Sequence, residues 1–152
     1  MIVSAKPSDA NVLTEIALES KAYWGYTAEE LENWRDDLTI LPETFESWRG
    51  SKFMIDEEVA GFYLLNRVNA RTCYIEFLFV RPKFIGKSIG KQLIEHAIVS
   101  CRTNSCEVLN VLSDPNAESF YAKHGFKTMC QTESAIPGRF LPEMELVFSE
   151  NS

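Results

Sequence analysis

Apolar residues recur along this chain with two periods, and the changes from one to the other lay out its elements. Residues 2–5 predict a short strand. Val12, Leu13, Ile16 and Ala17 then follow the spacing of one buried helix face, with Ser8 or Asp9 able to cap it. The helix fades in KAYWGY (21–26), where Gly25 breaks it. Thr27 and Glu30 form a capping-box pair. They open a second helix with Leu31, Trp34 and Leu38 on one side, and Pro42 follows it. SKFMI (51–55) and VAGFYLL (59–65) predict two strands around Asp56–Glu58, a hairpin without an Asn-Gly turn. TCYIEFLFV (72–80), rich in β-branched and aromatic residues, predicts a central strand covered on both faces.

Helical spacing returns at Ile89, Leu93, Ile94, Ala97 and Ile98, and EVLNVL (107–112) is the next strand. Strand, turn, helix and strand make a βαβ unit, with a right-handed crossover expected. Pro115 suits the first turn of a short helix, NAESFYAKH. Gly125 is its C′ residue, and Phe126 can pack back across the cap. FKTMCQTE and FLPEMELVF close the fold as an antiparallel pair around the bend IPGR. The expected fold is α+β, with a mixed sheet of about seven strands and about four helices. No repeat or linker interrupts residues 1–152, so one domain is expected.

Charge narrows the function. The chain has 15 Lys and Arg against 22 Asp and Glu, a net charge of −7, which argues against a nucleic-acid binder. A basic cluster (Arg81, Lys83, Lys87, Lys91) is confined to one turn and suits a small polyanion. No apolar stretch reaches the roughly 20 residues of a membrane helix, and the N-terminus lacks the apolar core of a signal peptide. A cytoplasmic protein without a membrane partner is expected. Cys73, Cys101, Cys106 and Cys130 show no CxxC pair or histidine set. They read as structural thiols with no metal site, Cys73 and Cys130 in strands where buried free thiols are common, the alternative being a metal or redox site.

The stretch VRPKFIGKSIGKQL (80–93) carries the sharpest signal. Glycines at a strand-to-helix turn expose backbone N–H groups, and the helix start adds partial positive charge. Gly86-Lys87-Ser88 spells the end of a P-loop, but the upstream glycine would have to be residue 81, which is arginine. A dinucleotide GxGxxG is absent.

The same stretch resembles the acyl-CoA pyrophosphate loop of the GNAT superfamily of N-acetyltransferases. There an apolar strand ends in a Val-x-Pro-like step, and Gln/Arg-x-x-Gly-x-Gly/Ala opens a helix. The motif falls on residues 85–90. Gly90 matches its last position, while Ile85 stands where Gln or Arg is usual and Ser88 where Gly is usual. DPNAESFYAKHGF (114–126) is similar to the family's C-terminal helix, with Asn116, Tyr121, Gly125 and Phe126 in that motif. SKAYWGY with EELENWRDDLT looks like a bacterial subgroup of single-domain members.

This resemblance implies a mostly antiparallel mixed sheet with a splayed central parallel pair. It implies acetyl-CoA as acyl-donor cosubstrate, and a small-molecule or peptide amine as acceptor. It leaves a homodimer open. The backbone of Leu78, Phe79 and Val80 would pair with pantetheine. Ile85, Gly86, Lys87, Ser88, Gly90 and Lys91 would hold the pyrophosphate, with Asn116 and Tyr121 also at the cofactor.

Tyr121 would act as general acid toward the leaving thiolate, the alternative being a core tyrosine. Glu76, the only charged residue in its strand, would act as general base if apolar surroundings raise its pKa. The alternatives are a sheet-edge or solvated carboxylate, or a partner of Arg71 or Arg81. Tyr23, Trp24 and Tyr26 would wall the acceptor pocket, or plug two helices together. Lys87 and Lys91 are phosphate contacts or plain surface lysines, and His96 and His124 read as surface or capping residues. Two rival functions remain: a GNAT-fold module that binds CoA without catalysis, and a protein-interaction domain.

Overall fold

The computed structural model describes residues 1–134 and 138–148. In chain order the elements are β1 (Ile2–Ser4), α1 (Ala10–Tyr23), α2 (Ala28–Leu38), β2 (Trp48–Ile55), β3 (Glu58–Arg67) and β4 (Thr72–Val80). There follow α3 (Ile89–Thr103), β5 (Val108–Leu112), α4 (Glu118–Lys123), β6 (Lys127–Glu133) and β7 (Phe140–Val147). The strands form one mixed sheet in the order β1-β2-β3-β4-β5-β7-β6. This is the mixed α+β architecture expected from the sequence, with seven strands and four α-helices among the described residues and a parallel β4–β5 pair. The Ile136-Pro137 part of the predicted IPGR bend lies outside the described residues. No described helix is long and apolar enough to cross a membrane.

The chain divides by contact into two compact units. The first comprises residues 1–65 and 77–94. Its core joins Leu13, Ile16 and Ala17 of α1 to Leu38, Ile40, Val59, Phe62, Leu64 and Phe77. The predicted helix face is thus the buried one. Thr27 caps α2 as expected, accepting from Glu30 N–H at 3.1 Å while Glu30 Oε1 accepts from Thr27 N–H at 2.9 Å. The β2–β3 turn lacks Asn-Gly, and Asp56 takes the positive φ (55°). On β3, a Cβ at Gly61 would stand 2.8 Å from the Phe79 carbonyl, so the close approach of the β4 backbone requires glycine there.

The second unit comprises residues 66–76 and 95–152. β4 and β5 run parallel, with Thr72–Ile75 in register with Val108–Val111. β7 pairs antiparallel with β5, and β6 with β7, with a register shift between Thr128 and Cys130. Leu109, Val111, Met144, Tyr121 and Phe126 are buried.

Two sequence expectations need correction. β4 is not covered on both faces: Cys73, Ile75 and Phe77 are buried, whereas Tyr74, Leu78 and Val80 are half-buried and Glu76 is exposed. Its alternation is that of a strand with one packed face. Cys130 is not a buried strand thiol either. It is exposed, its thiol donating to the Glu143 carboxylate at 2.9 Å instead of packing into a core. The sulfurs of Cys73, Cys101 and Cys106 lie within 4.8 Å of one another. Burial, reinforced by its bond with Cys106, pushes the Cys73 thiol up to about 11. Burial drives Cys101 higher still.

Candidate active site

β4 hands the chain to the glycine turn through Arg81. Its N–H donates to Ala60 carbonyl at 2.8 Å, which holds the strand end on β3. Its guanidinium is buried, donating to Val59 carbonyl (2.9 Å) and Glu19 (2.8 Å), with Glu58 at 3.6 Å. Lys83 pairs with Glu58 at 2.8 Å. Two members of the basic cluster are therefore matched by acids and serve the scaffold, while Lys87 and Lys91 are exposed. Sequence spacing grouped the four because it could not see Glu19 and Glu58 folding onto them.

Beyond Arg81 a short 3-10 turn spans Pro82–Phe84. Ile85 donates its N–H to Pro82 carbonyl at 3.1 Å, so the amide expected to face an anion is already used. Gly86 follows at φ 91° and Ser88 at φ 61°. Gln92 N–H to Ser88 carbonyl (3.1 Å) is the first bond of α3's ladder. The amides of Ile89, Gly90 and Lys91 therefore have no acceptor inside the helix. Gly86, Lys87 and Ser88 are exposed around them, and Ile85 is 49% exposed. The turn presents a run of free donors at the positive end of a 15-residue helix.

Glu76 is exposed and accepts from Asn66 Nδ2 at 3.0 Å. The apolar surroundings invoked for it are absent. Neither suggested arginine pairs with it: Arg71 bonds Glu107, and Arg81 bonds Glu19.

Tyr121 is held by the end of α4. Gly125 N–H donates to Ala122 carbonyl (3.1 Å) and Phe126 N–H to Tyr121 carbonyl (3.2 Å), with Gly125 at φ 94°. These two bonds make a Schellman cap, as Gly125 and Phe126 promised. The Phe126 ring meets the Tyr121 ring edge-on at 5.4 Å. Burial pushes the Tyr121 phenol up, because the phenolate would lose its solvation. Asn116 is engaged locally, its N–H and Nδ2 each 2.9 Å from Asp114 Oδ1. His124 is the C-cap of α4, and His96 is exposed.

Tyr23 and Trp24 are exposed and meet edge-on at 5.4 Å. Tyr26 behaves differently. It meets Trp34 edge-on at 4.8 Å, and Lys21 Nζ sits 5.6 Å from its ring centre. The same ammonium is 5.7 Å from Trp34 and 5.9 Å from Phe79. Three rings from a loop, a helix and a strand thus surround one alkylammonium. Sequence reasoning passed over Lys21 and used Trp34 only as a helix-packing residue. Phe79 lies far from both along the chain, so no local spacing signals the group.

The model of the acetyltransferase (GNAT) family matches residues 13–126. The peptidyl-lysine N-acetyltransferase YjaB of Salmonella typhimurium is 30% identical over 92 residues, which are 60% of this chain and 59% of that protein. The chain thus matches about three fifths of that relative's length. A GCN5-related N-acetyltransferase from Rhodopseudomonas palustris superimposes with a TM-score of 0.80 at 21% identity, covering 97% of this chain and 95% of its own. The PaiA N-acetyltransferase of Thermoplasma acidophilum, solved in complex with coenzyme A, gives 0.77 at 21% identity over 97% and 99%. A free-amide turn opening α3, a capped tyrosine helix and a family match spanning both lead to one assignment: the chain belongs to the acetyltransferase (GNAT) family.

Proposed function

We propose that residues 1–152 act as one acetyl-CoA-dependent N-acetyltransferase domain that moves an acetyl group to a primary amine by direct attack on the thioester. The observation that carries this reading is the turn into α3, where the Lys87 N–H is taken by the Phe84 carbonyl at 3.4 Å but the amides of Ile89, Gly90 and Lys91 have no acceptor inside the helix and suit the CoA pyrophosphate. The coenzyme A bound to the PaiA protein supports the donor. In this reading Leu78, Phe79 and Val80 offer backbone groups to pantetheine, beyond the four β4 residues in register with β5. One of their N–H groups would face the thioester oxygen as negative charge builds on it. Glu76, reached through water, takes the amine's proton. The amine nitrogen bonds to the carbonyl carbon, the C–S bond breaks, and Tyr121 protonates the departing thiolate. Lys87 and Lys91 add charge near the phosphates, and Asn116 keeps the start of α4 in place through Asp114.

The acceptor in this reading carries an alkylammonium. The Lys21 ammonium beside the rings of Tyr26, Trp34 and Phe79 supports this reading, and the exposed Tyr23 and Trp24 would add to the acceptor wall. The name of the YjaB relative, which acts on peptidyl lysine, agrees. The test is thiol release from acetyl-CoA against a panel of lysine peptides, small diamines and neutral alcohols. Turnover is expected with the amines alone. Trp24→Ala should raise the amine KM and leave acetyl-CoA affinity unchanged. The exposure of Glu76 favours one second reading, a CoA-binding module without catalysis. Tight acetyl-CoA binding with no turnover across the panel would select it.

A further inference from the structure

The three clustered cysteines lie outside everything the acetyl-transfer reading uses. Cys73 is on β4, Cys101 near the end of α3, and Cys106 in the loop before β5. They are 6%, 2% and 5% exposed. Two of them are set by the backbone. Ser105, at φ 65°, donates its N–H to Arg102 carbonyl (3.1 Å), and Cys106 N–H donates to Cys101 carbonyl (3.0 Å). This is a Schellman cap, which brings the third-last helical residue against the second residue beyond the cap. Such a cap usually joins two apolar side chains, as Tyr121 and Phe126 do on α4. Here it joins two sulfurs, and β4 supplies a third.

We propose that Cys73, Cys101 and Cys106 form a three-thiolate site for a thiophilic closed-shell metal ion, zinc(II) by preference. Zinc–sulfur bonds of about 2.3 Å set sulfurs on one ion roughly 3.8 Å apart. The 4.8 Å span of the cluster contains that spacing. The Cys73 and Cys106 sulfurs, 2.6 Å apart, separate by side-chain rotation to reach it. Among the described residues the cluster includes no carboxylate or imidazole, so hard cations find no ligand there, while thiolates suit zinc and copper(I). As the ion enters, each thiol loses its proton to solvent. Three thiolates with a divalent ion leave one negative charge at the negative end of a helix. Arg67 offsets it, donating to Asn104 carbonyl at 2.8 Å on that same helix end. A monovalent ion would leave two negative charges, hence the preference for zinc.

The experiment titrates cobalt(II), as a spectroscopic stand-in for zinc, into the reduced, metal-free full chain and reads the near-ultraviolet thiolate-to-cobalt charge-transfer band. Native mass spectrometry counts the ions. One cobalt per chain is expected, displaced by zinc, with zinc raising the melting temperature. Cys101→Ala and Cys106→Ser should each lose the band. Cys130→Ala, which alters the exposed thiol outside the cluster, should keep it. Wild type without the band overturns the proposal, as does a band that survives in a folded Cys101→Ala or Cys106→Ser chain. So does a Cys73–Cys106 disulfide formed in preference to metal loading, seen as the loss of two hydrogens in the intact mass under non-reducing conditions.

Discussion

The start of α3 and the end of α4 treat the same physical problem in opposite ways. Every helix end leaves backbone groups without partners. At α3 the amides of Ile89, Gly90 and Lys91 stay open, flanked by exposed residues and a positive-φ serine. At α4 the carbonyls of Tyr121 and Ala122 are closed off by Phe126 and Gly125, and the gain is a fixed tyrosine ring. An open end costs local stability and leaves donors available to a ligand. A closed end receives nothing but holds a side chain in one place. Substitutions at one end should therefore move binding, and those at the other should move chemistry or stability.

The largest effect is expected at the closed end. Tyr121→Phe keeps the ring and its contact with Phe126, so melting temperature and CoA affinity should hold. The loss of a proton donor should lower kcat by about 10²–10⁴-fold. Because burial raises the phenol above its ordinary value near 10, the proton stays on as pH rises through neutrality and the phenol adds no alkaline limb below about pH 10. A kcat within twofold of wild type would remove Tyr121 as the acid.

The open end comes next. Gly90→Pro deletes one free amide and crowds the first turn of α3. A hydrogen bond to a charged group contributes about 1.5–3 kcal/mol, so acetyl-CoA should bind about 10–100-fold more weakly. Calorimetry reads this directly. Unchanged affinity would mean that the amides of α3 do not hold the pyrophosphate.

Gly125→Ala strikes the closed end through its backbone. Gly125 sits at φ 94°, and a Cβ there would stand 3.2 Å from Leu146 Cδ1. The left-handed backbone alone costs a non-glycine residue about 1–2 kcal/mol, a fall of roughly 2–8 °C in melting temperature for a chain this size. CoA affinity should not follow. A matching loss of affinity would mean that the two ends are not independent.

How far the sequence disclosed these ends depends on how local their causes are. Thr27 with Glu30, and Gly125 with Phe126, announced their caps because each is decided within a few residues. The glycine turn was legible for the same reason. Arg81 was grouped with the lysines suited to a polyanion because Glu19, which neutralises it, is 62 residues away. Lys21 gathered Phe79 from equally far along the chain. Glu76 was offered apolar surroundings because its strand is apolar, yet it is the exposed residue on a half-buried face of β4. Cys101 and Cys106 belong to a third helix cap that sequence could have flagged, had Ser105 been a glycine.

Ser88→Gly tests the open end most gently. Ser88 holds φ 61°, a conformation a side chain adopts at a cost of about 1–2 kcal/mol. Glycine removes that strain but gives the unfolded chain more freedom, which returns about 0.4–1 kcal/mol. The balance favours the variant slightly, so melting temperature should rise by a degree or two. The amide itself is unchanged, and acetyl-CoA affinity should stay equal or tighten as the turn meets its conformation without strain. If affinity instead drops several-fold, the Ser88 hydroxyl is itself a ligand contact. The serine in place of the family's usual glycine would then be a gain in recognition rather than a tolerated strain.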